Sequence, residues 1–235
     1  MPPHALAAAL SLVSLSLSAP ALAQIGLAAS VDSDDRFRGV SLSDERPILG
    51  LQVSYDHPEG VYAGANFIAV DTAHEGLQAL GHVAYLGYAR RSGTGPTWDI
   101  GVTNAELRNY AIGRHSINYS EAYAGILTEH ISARIFYSPG YFGGKLRTVY
   151  AELNGAVRPA PDWRLFGHMG VLTPVGGWAP PGARGERYDL SAGLARQLGA
   201  YELRLAWTSA IAQPTYAGSP RQSHDALVVG ASRAF

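Results

Sequence analysis

Cysteine is absent from this chain of 235 residues, and charged residues are few, at 16%. Without cysteine, an exported soluble domain could not be braced by disulfides. The 18 basic and 19 acidic residues nearly cancel, whereas a nucleic-acid-binding protein usually has a basic excess. After the N-terminal segment, no stretch reaches the ~20 apolar residues of a transmembrane helix. We therefore expect neither a nucleic-acid partner nor a helical membrane protein.

Hydrophobic residues are nevertheless plentiful, at 47%, and the chain contains 27 glycines and 13 tyrosines. A chain rich in β-structure with one face in lipid has this composition, because its apolar residues are spread along short strands. Composition thus favours a membrane protein that crosses the bilayer with strands.

The N-terminal residues have the features of a targeting segment. Ala5 to Leu17 is an apolar run of signal-peptide length, and Ala21-Leu22-Ala23 has the small-x-small form of a cleavage site. Lys and Arg are missing before the run, and the alternative is an uncleaved N-terminal anchor. The run is too short to span a bilayer comfortably, so we predict a signal peptide over 1–23 and one mature domain over 24–235.

Apolar and polar residues alternate along much of the mature chain. In 48–56, for example, Leu49, Leu51, Val53 and Tyr55 share one face. Period two is the signal of a β-strand with one face buried or in lipid. The clear segments are 48–56, 61–70, 98–107, 149–158, 163–172 and 201–208. Fainter ones are 25–40, 79–91, 118–129, 131–137, 186–198 and 226–235. About twelve strands predict an all-β, up-and-down antiparallel transmembrane barrel, since bacterial barrels have an even strand number.

The connections between these segments alternate between short and long. The tight ones are 57–60, 93–96, the join near 130, 159–161 and 199–200. The longer ones are 41–46, 71–78, 108–117, 138–145, 174–185 and 211–224. Outer-membrane barrels have short periplasmic turns and long outer loops. The pattern therefore predicts a bacterial outer-membrane location with the long loops outside the cell.

Aromatic residues gather at both ends of the predicted outward faces. Near the short turns these are Tyr55, Trp98, Trp163, Tyr201 and Phe235, and near the long loops they are Phe67, Tyr188 and Trp207. Such rings favour the headgroup level of a bilayer because they are part apolar and part polar. We predict an aromatic girdle in contact with outer-membrane lipid and lipopolysaccharide.

The chain ends on Phe235, preceded by Leu227, Val229 and Ala231 at alternating positions. A terminal aromatic on a last strand is similar to the signal that barrel-assembly machinery recognises. Arg233 interrupts the apolar face, but an arginine near the rim costs only about 0–1 kcal/mol. The barrel-assembly machinery is therefore an expected partner, and the oligomeric state stays open.

Several segments resemble the TorF family, a group of uncharacterised proteobacterial outer-membrane barrels grouped as porins. The most distinctive is 33–41, which contains Arg36-Phe37-Arg38-Gly39, and further matches lie at 60–64, 137–143 and 150–152. The resemblance covers essentially the whole mature chain. It departs at Asp35, where the family usually has tyrosine. The resemblance implies a barrel with a porin role, with no catalytic residue and no known substrate.

Inward positions carry ionisable residues of both signs. The candidates for a lumen site are Asp34, Arg36, Arg38, Glu152, Arg158, Arg164, Asp189, Glu202 and Arg204, joined by Asp32 and His168. They form either a charged constriction that selects solutes or an ion-pair network that fills a narrow barrel. A barrel of about twelve strands lies between small filled barrels and open channels, so size leaves both readings open.

Arg36 and Arg38 flank Phe37 on what we predict to be the first strand. They would either attract anions at a constriction or brace the interior by pairing with Asp34, Asp189 or Glu152. The brace is slightly favoured, and Gly39 would let the strand bend near the rim.

The remaining chemistry-bearing groups give weak signals. The acidic cluster formed by Asp32, Asp34, Asp35, Asp44 and Glu45 lacks calcium-loop spacing, so a solvated acidic loop is favoured over a Ca²⁺ site. His168 has no serine or acid nearby in sequence, and the histidines lack zinc-site spacing. We therefore predict no enzyme activity, no metal and no cofactor.

Two functions remain. The first is a porin that lets small polar solutes or ions diffuse passively through a constriction formed by Arg36, Arg38, Glu152 and Arg204. The second is a non-conducting structural or adhesive barrel that acts through its outer loops. The tight rows of glycine and alanine on the strand faces are compatible with either.

Overall fold

The computed structural model describes residues 24–178, 185–211 and 224–235; the predicted signal peptide over 1–23 and parts of the loops over 174–185 and 211–224 lie outside this range. No helix in the described part is long and apolar enough to cross a membrane. The strands are β1 (Gln24–Asp32), β2 (Arg36–Phe37), β3 (Val40–Ser41), β4 (Ile48–Asp56), β5 (Val61–Thr72), β6 (Gly76–Arg91), β7 (Thr97–Asn109), β8 (His115–Leu127), β9 (Ile131–Ser138), β10 (Leu146–Ala160), β11 (Trp163–Gly177), β12 (Arg187–Leu198), β13 (Tyr201–Ile211) and β14 (Asp225–Ala234). Short 3₁₀ turns lie at Tyr110–Ile112 and Tyr141–Gly143.

Twelve of these strands close into an antiparallel barrel in which sequence neighbours pair. β1 completes the ring, since Ala28 is paired with Ala234 of β14 on one side and with Gln52 of β4 on the other. β2 and β3 form a separate small hairpin. Closure leaves no free sheet edge, so every strand can satisfy its backbone hydrogen bonds inside a bilayer. The predicted twelve-stranded transmembrane barrel is confirmed.

The outer wall is apolar and the inner wall is polar. Leu51, Leu165 and Leu205 are 44%, 46% and 41% exposed, which would be unfavourable in water for so many large side chains. Their strand neighbours, such as Gln52, point into the barrel. This arrangement suits a bilayer around the barrel, and it follows from the period-two pattern, because successive side chains of a strand point to opposite faces.

Two parts of the predicted strand map are wrong. The segment 25–40 is not one strand, because β1 ends at Asp32 and the chain then turns into the lumen. The connection 71–78 is not long, since β5 and β6 continue to a turn of three residues, 73–75. There Gly76 has a left-handed φ of 66° and its carbonyl accepts a 2.8 Å bond from Thr72 Oγ1. These local bonds close a tight turn that composition alone suggested was a loop.

We expect Leu165→Arg to lower the free energy of unfolding by about 2–4 kcal/mol, because the outward side chain would place a charge in the lipid. Gln52→Arg, on the inner face of β4, is the matched control and should have a much smaller effect. Urea unfolding of the barrel reconstituted in lipid vesicles, followed by tryptophan fluorescence, measures both. Equal losses would contradict this assignment of inner and outer faces.

Candidate functional site

A loop enters the barrel between β1 and β4. This inserted loop, residues 33–47, leaves the wall at Ser33, whose amide donates to Val229 O at 2.9 Å, and rejoins it at Pro47, whose carbonyl accepts from Asp71 N at 2.9 Å. Phe37 and Leu42 are 5% and 0% exposed. Their burial shows that the loop fills part of the lumen at the end that carries the longer loops.

Asp34 holds the inserted loop in shape. Its carboxylate accepts hydrogen bonds from Ser41 Oγ at 2.5 Å, Ser43 Oγ at 2.7 Å and Arg36 Nε at 2.7 Å. Arg36 also donates to the carbonyl of Gly39 at 3.0 Å. A buried carboxylate with this many donors is fully compensated for its lost hydration, so the loop is a folded unit.

The tip of the inserted loop is Gly39, which has a left-handed φ of 77°. A Cβ at this position would lie 2.7 Å from Ala210 Cβ on β13, so no larger residue fits without a shift. The glycine thus serves a hairpin tip pressed against the inner face of β13, where the sequence suggested a bend in a strand.

Arg38 joins the loop to the far side of the barrel. Its Nη2 donates to Glu121 Oε2 of β8 at 2.7 Å, and its guanidinium lies 3.8 Å from the ring centre of Tyr150 on β10. The side chains of Arg38 and Glu121 are 9% and 1% exposed. A desolvated ion pair stacked on an aromatic ring is strong, and we call the Arg38–Glu121 pair the latch.

One half of the lumen, lined by β5 to β10, is filled with side chains. Tyr62, Tyr123 and Phe136 are 4%, 8% and 3% exposed. Arg134 Nε pairs with Asp99 Oδ2 at 2.8 Å, and the Tyr62 hydroxyl donates to the same Asp99 carboxylate. The rings of Tyr62 and Tyr123 occupy the space that a Cβ would need at glycines of the neighbouring strands. We call this side the filled half.

The opposite wall, formed by β11 to β14 with β1 and β4, carries small and polar inward residues. Most of them are partly accessible, among them Ser30, Gln52, Ser54, Ser191 and Ala206. Ion pairs cross this wall: Arg204 binds Asp32 at 2.5 Å and Arg164 binds Glu202 at 2.7 Å. We call this side the polar half, and it is the accessible part of the described lumen.

His168 lies between the two halves and is bound on both ring nitrogens. Its Nε2 is 2.6 Å from Asp189 Oδ1 and 3.0 Å from the Tyr150 hydroxyl, and its Nδ1 is 2.7 Å from Asn154 Oδ1. The expectation that His168 has no acid nearby holds only along the sequence. Because both nitrogens are engaged, the ring is placed to brace the wall, and neither nitrogen is free to activate a nucleophile.

The predicted lumen residues fall into separate groups. Asp34, Arg36 and Arg38 lie on the inserted loop, so their placement on the first strand is wrong, although all three are inside the barrel. Glu152, Arg164, Asp189, Glu202 and Arg204 lie on the inner wall. Arg158 is exposed near a register shift of β10 at the short-turn end, away from the other charges.

Sequence reasoning missed three charged residues that anchor the interior: Asp99, Glu121 and Arg134. Their signal was present, because Asp99 alternates with Trp98 and Ile100, which face outward. Arg38 was expected to pair with Asp189 or Glu152, but Glu121 is its partner. The pairing of Arg36 with Asp34 was among the braces considered.

The acidic cluster around the inserted loop is not a solvated surface. Asp34 and Asp35 are 7% and 8% exposed, and the Asp34 carboxylate is taken up by loop donors. Within residues 24–178, 185–211 and 224–235, no three histidine, aspartate or glutamate side chains group in a way that could hold a metal ion. The preference for a solvated acidic loop was therefore wrong for these two aspartates.

All the aromatic residues predicted for the girdle lie on the outer surface. Their exposed fractions run from 38% for Tyr55 and Trp163 to 68% for Phe235. The others are Phe67, Trp98, Tyr188, Tyr201 and Trp207. Arg233 stands 4.8 Å from the ring centre of Phe235 and 5.5 Å from that of Tyr201, which places its charge at the rim beside aromatic rings.

Asp35 makes the inserted loop sensitive to pH. Burial, with the nearby charges of Asp34 and Asp32, raises the pKa of this loop carboxyl to about 7. A carboxyl group whose pKa is raised in the seated loop stabilises that loop fully when the pH is below the group's ordinary pKa. This stability is lost as the pH rises through about 7. We expect trypsin cleavage after Arg36 to increase from pH 5 to pH 8 in the wild type. Asp35→Asn should remove the pH dependence that is specific to the loop. Cleavage of a denatured substrate at each pH corrects for the pH dependence of trypsin activity itself.

Taken together, the wall, the inserted loop and the two halves define a membrane-spanning β-barrel whose lumen is partly occupied by its own chain. The chain belongs to Gcw_chp, a family of bacterial proteins of unknown function whose model matches residues 19–235. No curated protein matches the sequence. The predicted TorF membership stays a prediction.

Solved structures show what the fold is similar to. The NanC porin superposes with a TM-score of 0.56 at 12% identity, covering 89% of this chain and 99% of that chain. The translocator domain of the autotransporter NalP from Neisseria meningitidis gives 0.44 at 13% identity, over 90% and 88% of the two chains. An anion-selective porin from Comamonas acidovorans gives 0.32 at 13% identity, over 91% and 99%. The likeness to the NanC porin supports the barrel fold.

Proposed function

We propose that this chain is a bacterial outer-membrane porin that lets small polar solutes or ions diffuse passively along the polar half of its lumen. The observation that carries the proposal is the asymmetry of the interior. Inward residues of β5 to β10 are mostly buried, whereas those of β11 to β14, β1 and β4 are mostly partly accessible. A route for solutes therefore follows the polar half, and the inserted loop narrows it.

The chemistry of the polar half suits hydrated solutes. Hydroxyl and amide side chains such as Ser191 and Gln52 are unfavourable in a dry core but natural beside water. The ion pairs Arg204–Asp32 and Arg164–Glu202 present both signs of charge along the wall. Mixed signs predict weak selectivity between anions and cations. Arg204, the loop arginines Arg36 and Arg38, and Glu152 of β10 are the proposed constriction.

The location proposed for the barrel is the outer membrane. The terminal Phe235, the predicted signal peptide over 1–23 and the resemblance to the TorF family support it. The same features make outer-membrane lipid, lipopolysaccharide and the barrel-assembly machinery the proposed partners. No catalytic role is proposed.

A non-conducting structural barrel is the second candidate, and one observation favours it. The inserted loop is anchored at several places at once: by the latch to β8, by Gly39 against β13 and by the hydrogen bond that Tyr110 N donates to Leu42 O at 2.9 Å. A loop that stays seated in this way would close the end of the barrel. Whether ions pass beside the seated loop decides between the two functions.

Single-channel recording in planar bilayers tests the proposal, and the absence of native cysteine allows a sharp design. Ser191→Cys places a thiol in the polar half, and Thr103→Cys, at a position 7% exposed, places one in the filled half. A charged, water-soluble thiol reagent should reduce the conductance of Ser191→Cys and leave that of Thr103→Cys unchanged.

The outcomes separate the two functions. Discrete steps in the wild type, with block confined to Ser191→Cys, support diffusion along the polar half. Equal block of both variants would contradict the proposed route. A folded barrel, recognised by its heat-modifiable gel migration, that gives no steps at any salt concentration or voltage would leave the structural barrel as the function.

A further inference from the structure

The outer wall has one patch that does not suit lipid. Along β7 the outward residues change from apolar Trp98, Ile100 and Val102 to polar Asn104 and Glu106, and on β8 the neighbouring outward positions are Ser120 and Asn118. All four polar residues are exposed. We call Asn104, Glu106, Asn118 and Ser120 the polar seam.

The polar seam lies at the depth of the bilayer. Trp98 marks the girdle at the short-turn end, and Asn104 and Glu106 follow it by six and eight residues on the same strand. With a strand rise of about 3.3 Å and a tilt of about 40°, they stand about 15 Å and about 20 Å above the girdle. The apolar band of such a barrel is about 25 Å tall, so both residues fall within it.

Other strands carry apolar residues at the same depth. Six and eight residues from the girdle residue Trp163, β11 has Met169 and Val171 on its outer face. The corresponding outward positions of β14, counted from Phe235, are Val229 and Leu227. The polar character at this depth therefore distinguishes β7 and β8, together with the half-buried His82 of the adjacent β6, from β11 and β14.

Glu106 makes this patch costly in lipid. Within the described residues its carboxylate has no hydrogen bond or ion pair, and the directly opposed residue on β6, His82, lies beyond ion-pair distance. Asn104 differs, since its Nδ2 donates to Ser120 Oγ at 3.0 Å, to Tyr119 O at 3.3 Å and to Asn118 Oδ1 at 3.5 Å. An ionisable group at this depth is expected to face a polar partner, because acyl chains offer no hydrogen bonds.

We propose that the polar seam is the contact surface for a second copy of this chain, related by a two-fold axis along the membrane normal. Such an axis between β7 and β8 places β7 of one barrel opposite β8 of the other. Glu106 then faces the amide of Asn118 and the hydroxyl of Ser120 of the second copy, and Asn104 faces Ser120. The set is self-complementary, as a two-fold interface requires, and opposes no two like charges.

The shape of the wall supports close approach of two barrels. Below the seam, the outward residues of β8 are Ala122 and Ala124, and the outward residue of β6 at this level is Ala84. Small residues let the backbones of neighbouring membrane proteins come close enough for packing and hydrogen bonding. Polar groups above and small groups below thus form one continuous contact face.

Disulfide trapping tests the orientation of this dimer. Ser120→Cys puts a thiol beside the proposed axis, and Val171→Cys puts one at a similar depth on the outer face of β11. After mild oxidation of full-length protein reconstituted in phosphatidylcholine vesicles, Ser120→Cys should form a cross-linked dimer and Val171→Cys should not. Equal cross-linking of both, or none in either, would overturn the proposal.

A second measurement does not depend on a cysteine. Glu106→Leu should convert a dimer, measured by sedimentation in mild detergent, to a monomer while heat-modifiable migration shows a folded barrel. Val171→Leu, at matched depth on β11, should leave the dimer intact. A wild-type monomer that binds purified lipopolysaccharide through Glu106 would replace the second copy by a lipid headgroup and overturn the proposal.

Discussion

Arg134→Ala is expected to lower the free energy of unfolding by about 3–5 kcal/mol, because it leaves a buried carboxylate without its partner. Asp99 is 1% exposed, and its contact with Arg134 Nε is 2.8 Å. The Tyr62 hydroxyl also donates to this carboxylate, but a single neutral donor cannot replace a guanidinium. Urea titration of the barrel in lipid vesicles, followed by tryptophan fluorescence, measures the loss.

The matched control is Arg114→Ala. Arg114 also pairs with a carboxylate, that of Glu75 at 2.6 Å, but both side chains are about half exposed, at 47% and 49%. An ion pair exposed to water contributes little to stability, because solvent and salt screen it. Asp99→Leu combined with Arg134→Met should recover much of the lost stability, since it removes both charges together. Similar losses of unfolding free energy for Arg134→Ala and Arg114→Ala would contradict the prediction, because they would show that water hydrates the filled half.

Arg38→Ala should release the inserted loop from the lumen. It removes both the 2.7 Å ion pair to Glu121 and the stacking over Tyr150, and it leaves Glu121 buried without a partner. Loss of a buried partner costs about 3–5 kcal/mol. This corresponds to a change of about 100-fold or more in the equilibrium constant between seated and released loops. We expect larger single-channel conductance and faster trypsin cleavage between Arg36 and Phe37.

Arg46→Ala is the control within the same loop. Arg46 pairs with Asp44 at 3.2 Å, and both side chains are more than a third exposed, so little stability depends on this pair. Its conductance and its cleavage after Arg36 should match the wild type. Proteolysis reports loop release even if the barrel does not conduct, so the latch can be tested apart from the proposed function. Unchanged cleavage in Arg38→Ala would show that the latch does not hold the loop.

The wall of the barrel could be predicted because its signal is local. Alternation of apolar and polar residues along 48–56 or 201–208 assigns faces without knowledge of the partner strand, since successive side chains always point to opposite sides. The same parity put Trp98 and Trp163 on the outer wall, and it implies an inward Asp99, which was not among the predicted lumen residues. The outward polar residues Asn104 and Glu106 were equally visible in the pattern.

Only the closed barrel decided which inward residues meet. The latch joins residues 83 apart in sequence, and Arg204 meets Asp32 across a separation of 172. Such pairs depend on the register between strands and on the stagger with which the sheet closes, and neither is encoded in a single strand. The same closure decided that aromatic rings pack one half of the lumen while small side chains leave the other accessible.

The inserted loop shows, within a few residues, the same division between what the sequence pattern predicts and what the tertiary structure decides. Strand parity identified Asp34, Arg36 and Arg38 as inward, and Asp34 was one of three acids considered as a partner of the arginines. The predicted strand extended through them, because their alternation continues that of β1. The chain instead turns inward after Asp32, where loop hydrogen bonds to Asp34 and the latch to Glu121 outweigh further pairing with the wall. Sequence by itself determined the membrane-spanning barrel and its faces. The tertiary structure decided how the lumen is filled, since that depends on contacts between residues far apart in the chain.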